Sequence, residues 1–331
     1  MFLLFHEFSH IRFSIRPGHA IHAVNLAQKW REYLDWDTMW GEHGSLTIAR
    51  LLREATWGGG FACVSNVGNF KNWTGHVLLA ANMYACGRLA WDPSLPAETI
   101  DHEWTAMTFP YSQQVIDTVK EILGKSWGVF EGCTSPMGIG FMVGQNNPFG
   151  CAPKTNRSAG EGPNGTKCPP TPPETDWYWL VPCDDYDFAN YSSSGLGCDR
   201  TSNGSGSKMT ELYSQPLREI LDDPSQIPIE LLLFFHNVRW TDLVPSYKPY
   251  AKNGSAAQVP VFQRIRDRHA GAIEELGRMV RNWSALETTM IAAGDVHRFR
   301  GVAARFAQQM NDAVVFQKEV MGYYEKLSGM K

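Results

Sequence analysis

The chain has no long apolar run. None of its hydrophobic stretches approaches the ~20 residues that cross a bilayer, so no membrane partner is expected. It has no excess of one charge either. Thirty Lys and Arg against 34 Asp and Glu leave a formal net charge of -4, which gives no electrostatic footprint for nucleic acid or an anionic surface. Its seven cysteines contain no Cys-x-x-Cys pair, so the ligand spacing of a zinc site is missing and neither metal nor cofactor is expected. The amino terminus, MFLLFHEFSH, starts apolar, but no basic region precedes it and His6 and Glu7 interrupt it. It does not read as a signal peptide. No internal repeat is present.

Aromatic residues are plentiful, at 12% with twelve Trp. Indole stacks well on the flat C–H faces of sugars, which suits a carbohydrate protein, although Trp fills cores equally well. Sequons of the form Asn-x-Ser/Thr occur at Asn72, Asn156, Asn164, Asn190, Asn203, Asn253 and Asn282. They point to an extracellular, secreted glycoprotein. Cys133, Cys151, Cys168, Cys183 and Cys198 fall in a loop-rich middle where disulfides could staple an insertion. Cys63 and Cys86, on a predicted strand and helix, read as buried thiols.

Punctuation by Gly and Pro organises the chain. Up to Trp91 it reads as β/α, with short helices over Val24–Tyr33 and Ser45–Ala55, a buried strand over Phe61–Val67 and a helix over His76–Trp91. Ser94 is the expected N-cap of a helix from Glu98 to Phe109, with Ile100, Trp104 and Met107 on one face. Another helix follows over Tyr111–Phe130. Residues 136–207 are dense in Gly, Pro, Asn and Ser and read as an insertion. Helices resume over Lys208–Asp222, Pro228–His236, Val261–Trp283 and Gly294–Leu327. Residues 1–93 are thus expected to be the tail of a barrel, and 94–331 an α-helical domain.

The stretch Asn66–Pro93 carries the most chemical information. Asn66, Asn69, Asn72, Trp73 and His76 form a polar loop between the predicted strand and helix, where β/α barrels place substrate-binding groups. A surface turn rich in Asn and Gly is the competing reading. Asp35, Asp37, Glu42 and His43 resemble an acid/base cluster, but their spacing fits capping and solvation of the next helix better.

NVGNFKNWTGH followed by ANMYACGRLAWDP resembles the α-glucuronidases of glycoside hydrolase family 67. Further similar runs stand in the same order: Leu34-Asp35-Trp36-Asp37-Thr38, Ser135-Pro136-Met137-Gly138-Ile139-Gly140, Gly195-Leu196-Gly197-Cys198-Asp199-Arg200-Thr201, and Leu231 to Val238. The resemblance implies a mostly α fold with a small β/α part: the incomplete tail of a (β/α)8 barrel, then an all-α C-terminal domain with a long irregular insertion. It implies inverting hydrolysis of the α-1,2 link between (4-O-methyl-)glucuronic acid and xylose in xylan fragments. One carboxylic acid protonates the leaving oxygen and an opposing carboxylate site activates water. Glucuronoxylan-derived oligosaccharides are the implied partners, with a homodimer through the helical domain.

By the same resemblance Asn72, Trp73 and His76 belong to a loop close to the barrel mouth, where Trp73 either stacks on a sugar or packs against the following helix, and Trp177 or Trp179 stacks on xylose. Asp199 and Arg200 either pair with each other or bind substrate, and His236 is a ligand or a satisfied core histidine. The family's catalytic carboxylates lie ahead of the segment matched by Leu34-Asp35. Ser14-Ile15-Arg16-Pro17 carries no carboxylate where the family has one, and Glu7 is the one displaced candidate. Asn147-Pro148-Phe149-Gly150 also departs from the family's pattern. The chain is therefore expected to be a C-terminal part, marginal in solubility and inactive alone. The alternative is a non-catalytic remnant or a secreted carbohydrate-binding or interaction module.

Overall fold

A computed structural model describes residues 24–37, 46–54, 63, 77–139, 141–143, 178–180, 193–204, 208–247 and 257–331. Helices dominate it. In chain order they are α1 (Ala27–Leu34), α2 (Ile48–Glu54), α3 (Ala80–Trp91), α4 (Ala97–Thr108), α5 (Gln113–Thr134), α6 (Gln215–Asp222), α7 (Leu232–Phe235), α8 (Val261–Ser284), α9 (Glu287–Ala292) and α10 (Val296–Ser328). Among the described residues short strands form three antiparallel pairs: β1 (Phe141–Val143) with β2 (Tyr178–Leu180), β3 (Gly195–Leu196) with β4 (Val238–Arg239), and β5 (Leu243–Pro245) with β6 (Gln258–Pro260). Among the described residues no helix is long and apolar enough to cross a membrane. The strand expected over Phe61–Val67 lies outside the described residues, Cys63 excepted.

The chain divides into two compact units. Unit 1 comprises residues 1–130 and 274–312, and unit 2 comprises residues 131–273 and 313–331.

Unit 1 is centred on Trp283, which is fully buried. Its ring meets Phe109 and Phe306 edge-on and stacks on Phe299 at 6.0 Å, while the indole N–H donates to the Phe299 carbonyl at 3.1 Å. Burying so much aromatic surface leaves one polar atom to satisfy, and the start of α10 satisfies it. Tyr111, Asp295 and Arg298 close the same region: Tyr111 O–H donates to Asp295 at 2.8 Å, and Arg298 donates to the Thr108 carbonyl at 2.7 Å. A smaller cluster joins Ala27 and Leu34 of α1 to Ala85 and Leu89 of α3 and Ile100 of α4.

Several local expectations are corrected. Ser94 does not cap α4. It folds back on Asp92, donating from backbone N–H and hydroxyl at 2.9 and 2.5 Å, and Pro96 takes the N-cap position. Met107 is exposed rather than on the buried face with Ile100 and Trp104. Lys208–Asp222 is two elements, a 3-10 turn (Met209–Leu212) and α6, because Tyr213 and Ser214 are extended between them. The last helix starts two residues late, after Gly294 in the left-handed region and Asp295. Cys63 and Cys86 are not thiols but a disulfide. Cys198 is also disulfide-bonded. Cys133, expected among the insertion's staples, is a free buried thiol.

A buried polar network ties the segment before α1 into unit 1. Asn25 N–H donates to Ser126 Oγ at 2.8 Å, its Oδ1 accepts from Ala27 N–H at 3.2 Å, and its Nδ2 donates to both carboxyl oxygens of Asp101 at 2.7 Å. Burial pushes Asp101 up to about 6, outweighing the Asn25 amide. The folded state therefore holds its proton more tightly than the unfolded chain. The corresponding stability is fully present below about pH 4 and is lost as pH rises through about 6, on the order of 3 kcal/mol. Asp101→Asn is expected to flatten the pH dependence of urea unfolding between those values. An unchanged slope would contradict the assignment.

Candidate functional site

Two of the resemblance motifs, Gly195–Thr201 and Leu231–Val238, meet in unit 2 around a one-turn helix. The last carbonyls of a helix have no intrahelical donor, and α7 is so short that Leu233, Phe234 and Phe235 all need outside partners. The segment Gly195–Thr201 supplies them. Cys198 N–H donates to Leu233 O at 3.1 Å, Arg200 N–H to Phe235 O at 2.9 Å, and the Arg200 guanidinium to Phe234 O at 3.3 Å. The same guanidinium lies 4.3 Å from the centre of the Phe234 ring, a cation–π contact made with Arg200 almost wholly buried.

Backbone approach makes this possible. Strand β3 pairs with β4 in the register Gly195↔Arg239 and Leu196↔Val238, and Asn237 Nδ2 donates to Gly197 O at 2.9 Å. Gly197 has φ +108, and a Cβ there would collide with the His236 carbonyl oxygen. Side chains are excluded at that position both by conformation and by contact.

His236 is buried just past α7, and its Nε2 lies 2.7 Å from Leu221 O. A carbonyl only accepts, so Nε2 carries the proton and donates it. Burial lowers the imidazole's proton affinity below the ordinary value, against smaller opposite effects of the Leu221 carbonyl and of Asp222, Asp199 and Asp223. Asp222 is tied to the neighbouring loop: it accepts from Ser202 N–H at 2.9 Å, from Ser202 Oγ, and from Thr210 Oγ1 at 2.6 Å. Burial alone would raise its carboxyl, but these donors outweigh it and hold Asp222 below the usual carboxylate range. Asp199 lies against the backbone of Gly204 in the turn that follows.

Of the residues singled out from the sequence, Asp199, Arg200 and His236 are thus brought together. Trp179 lies in β2 opposite Met142. Glu7, Asn72, Trp73, His76 and Trp177 lie outside the described residues. Among the described residues no group of three His, Cys, Asp or Glu is placed to hold a metal. The sequence reading passed over Asp222, Glu131, Glu230, Arg264, Arg268 and Tyr247. Arg264 and Arg268 stand four apart on α8 and look like a solvated face, with no local signal that both are buried. Gly197→Ala is expected to destabilise the protein by roughly 2 kcal/mol or more through the forced backbone conformation and the carbonyl clash. A lowered urea midpoint checks this, and a wild-type midpoint would refute the packing account.

Residues 74–331 match the family model described as glycosyl hydrolase family 67 C-terminus. Alpha-glucuronidase A of Aspergillus tubingensis is 27% identical over 318 residues, covering 95% of this chain and 33% of that protein. Probable alpha-glucuronidase A of Aspergillus flavus is 28% identical over 317 residues with the same coverage, and that of Aspergillus fumigatus is 27% identical over 321 residues. The chain spans about a third of the length of the curated relatives it matches. With Gly195–Thr201 and Leu231–Val238 interlocked inside the matched region, the chain belongs to glycosyl hydrolase family 67, of which residues 74–331 are the C-terminal region.

Proposed function

We propose that this chain forms the C-terminal helical part of an α-glucuronidase, which hydrolyses the α-1,2 link between glucuronic acid, or its 4-O-methyl ether, and xylose in glucuronoxylan fragments. The observation that carries this reading is the match of residues 74–331 to the family's C-terminal region. Hydrolysis with inversion needs an acid that protonates the leaving oxygen and an opposing carboxylate, set far enough apart for a water between them. The described buried carboxylates are engaged otherwise, Asp101 with Asn25, Glu275 with Arg278, and Asp295 with Arg298 and Tyr111, as are the part-buried Glu131 with Arg268 and Asp222 with Ser202 and Thr210. In this reading the catalytic carboxylates come from outside the described residues. Residues 24–331 contribute binding surface and support.

Asn72, Trp73 and His76 are assigned to the sugar-facing rim, with Trp177 or Trp179 stacking on xylose. Asp199 is assigned to polar contacts of the substrate. Arg200 holds the Gly195–Thr201 segment to α7 behind it, and His236 ties the end of α7 to α6, since their described hydrogen bonds run to the Phe234 and Leu221 carbonyls. An extracellular location, glycosylation at the sequons and a homodimer through the helical part belong to the same proposal.

The engaged carboxylates also favour a second reading, in which residues 1–331 alone bind carbohydrate without cleaving it. The purified chain is expected to release no 4-O-methyl-glucuronic acid from aldouronic oligosaccharides, but to bind glucuronic-acid-bearing xylo-oligosaccharides more tightly than undecorated ones in calorimetry. Release of the acid would refute the placement of the carboxylates. Equal affinity for both ligands would favour the simple binding module.

A further inference from the structure

Unit 2 holds a second group of charged side chains, outside the motif segments. Glu131, in the last turn of α5, accepts at Oε2 from the Arg268 guanidinium. Its Oε1 is buried with no hydrogen-bond partner among the described residues. Glu230, in the 3-10 turn Ile229–Leu231, pairs with Arg264 Nη2 at 3.4 Å. Arg264 and Arg268 lie one turn apart on α8, and both guanidinium groups sit over the ring of Tyr247, at 5.3 and 4.9 Å. Arg264 donates to Pro245 O at 3.0 Å, and Arg268 to Tyr247 Oη at 3.2 Å. The Glu230 carboxyl is within hydrogen-bonding reach of Glu131.

We propose that Glu131 and Glu230 share one proton, and that this proton is a pH-sensitive latch fastening the end of α5 to the Ile229–Leu231 turn and to α8. A half-exposed carboxylate set beside a largely buried one repels it unless one of the two is protonated. Arg268 already occupies Oε2 of Glu131, so a proton between the acids gives Oε1 its missing partner.

Burial is the largest influence on Glu131 and, with the repulsion of Glu230, outweighs the attraction of Arg268, placing its carboxyl at about 7. The other groups facing it do not compete in that range. Arg264 and Arg268 stay cationic. Burial pushes the Cys133 thiol up to about 12 and the His269 imidazole, bonded to Gly132, down to about 4. Tyr247 is held by Arg268.

The folded proton affinity exceeds that of an unfolded Glu, so the latch stabilises the fold fully below about pH 4.5. The contribution is lost as pH rises through about 7. Mechanically it acts on two motif segments. The end of α5 leads into Pro136–Gly138, where Met137 and Gly138 are both left-handed and Gly138 packs on the Glu230 and Leu231 backbone. Leu231 leads into α7, whose carbonyls carry Cys198 and Arg200.

The test compares the full chain with Glu131→Gln and Glu230→Gln by urea unfolding and amide hydrogen exchange from about pH 5 to about pH 8. Unfolding of the wild type near pH 6 is expected to release close to one proton more than that of Glu131→Gln, whose amide supplies a donor that does not titrate. Exchange of residues 131–139 and 229–236, corrected for intrinsic rate, should rise several-fold above pH 7 in the wild type alone. Glu230→Gln, at a half-exposed side chain, offers an N–H to Glu131 and should move the transition down by about one pH unit. Equal proton release from wild type and Glu131→Gln overturns the latch. If Glu131→Gln does not fold, an unmoved transition in Glu230→Gln overturns it.

Discussion

Helix α7 ends after a single turn, and its carbonyls must find donors from another part of the chain or stand unpaired in the core of unit 2. Cys198 and Arg200 provide them from about 35 residues away in sequence, a separation whose closure entropy grows only slowly with length. Most other features of this region follow from that requirement. The donors reach α7 because β3 runs against β4, and β3 can come so close because Gly195 and Gly197 present no side chain to the Val238 and His236 carbonyls. Arg200 is buried because its head completes the same set of bonds while its face covers Phe234. The loop beyond it is pinned in turn by Asp222, which collects Ser202 and Thr210. The family motif is, physically, a strand edge shaped to finish a helix.

The carboxyls of the two units differ in the donors they meet. In unit 1 Asp101 rests on one neutral amide, so burial dominates and the group favours its protonated form, whereas Glu275 and Asp295 meet arginines. In unit 2 the outcome depends on how many donors each carboxyl receives. Asp222 has three and stays ionised, whereas Glu131 has Arg268 on one oxygen and a second acid beside the other. His236 and His269 are both buried against carbonyls and held neutral, which leaves them as packing groups with a single fixed donor. Hydrogen-bond supply, rather than distance from solvent alone, separates these cases.

Helix periodicity was legible. Positions such as Leu78, Ala81, Ala85 and Leu89 repeat at helical spacing and are buried in unit 1 in α3 and the turn before it, and Ile265, Ala272, Leu276 and Met279 repeat likewise and are buried along α8. The order of the motifs was legible too, and with it the family. Caps and breaks were less so: Ser94 has the chemistry of an N-cap, yet Asp92 two residues earlier captures it in a local turn. The cysteines were misread because bonding between Cys63 and Cys86 depends on the approach of two segments, which spacing does not encode.

The sequence by itself determined the helical periods, the glycines that admit close backbone approach, and the membership in glycosyl hydrolase family 67. These are local or colinear properties, written in residue type and order. Only the tertiary structure decided that Arg264 and Arg268 are buried over one tyrosine, that Glu131 meets Glu230, and that Arg200 serves the carbonyls of α7. Those outcomes depend on donors and acceptors from distant segments arriving at one place, and a charged side chain carries no local mark of the partner that will bury it.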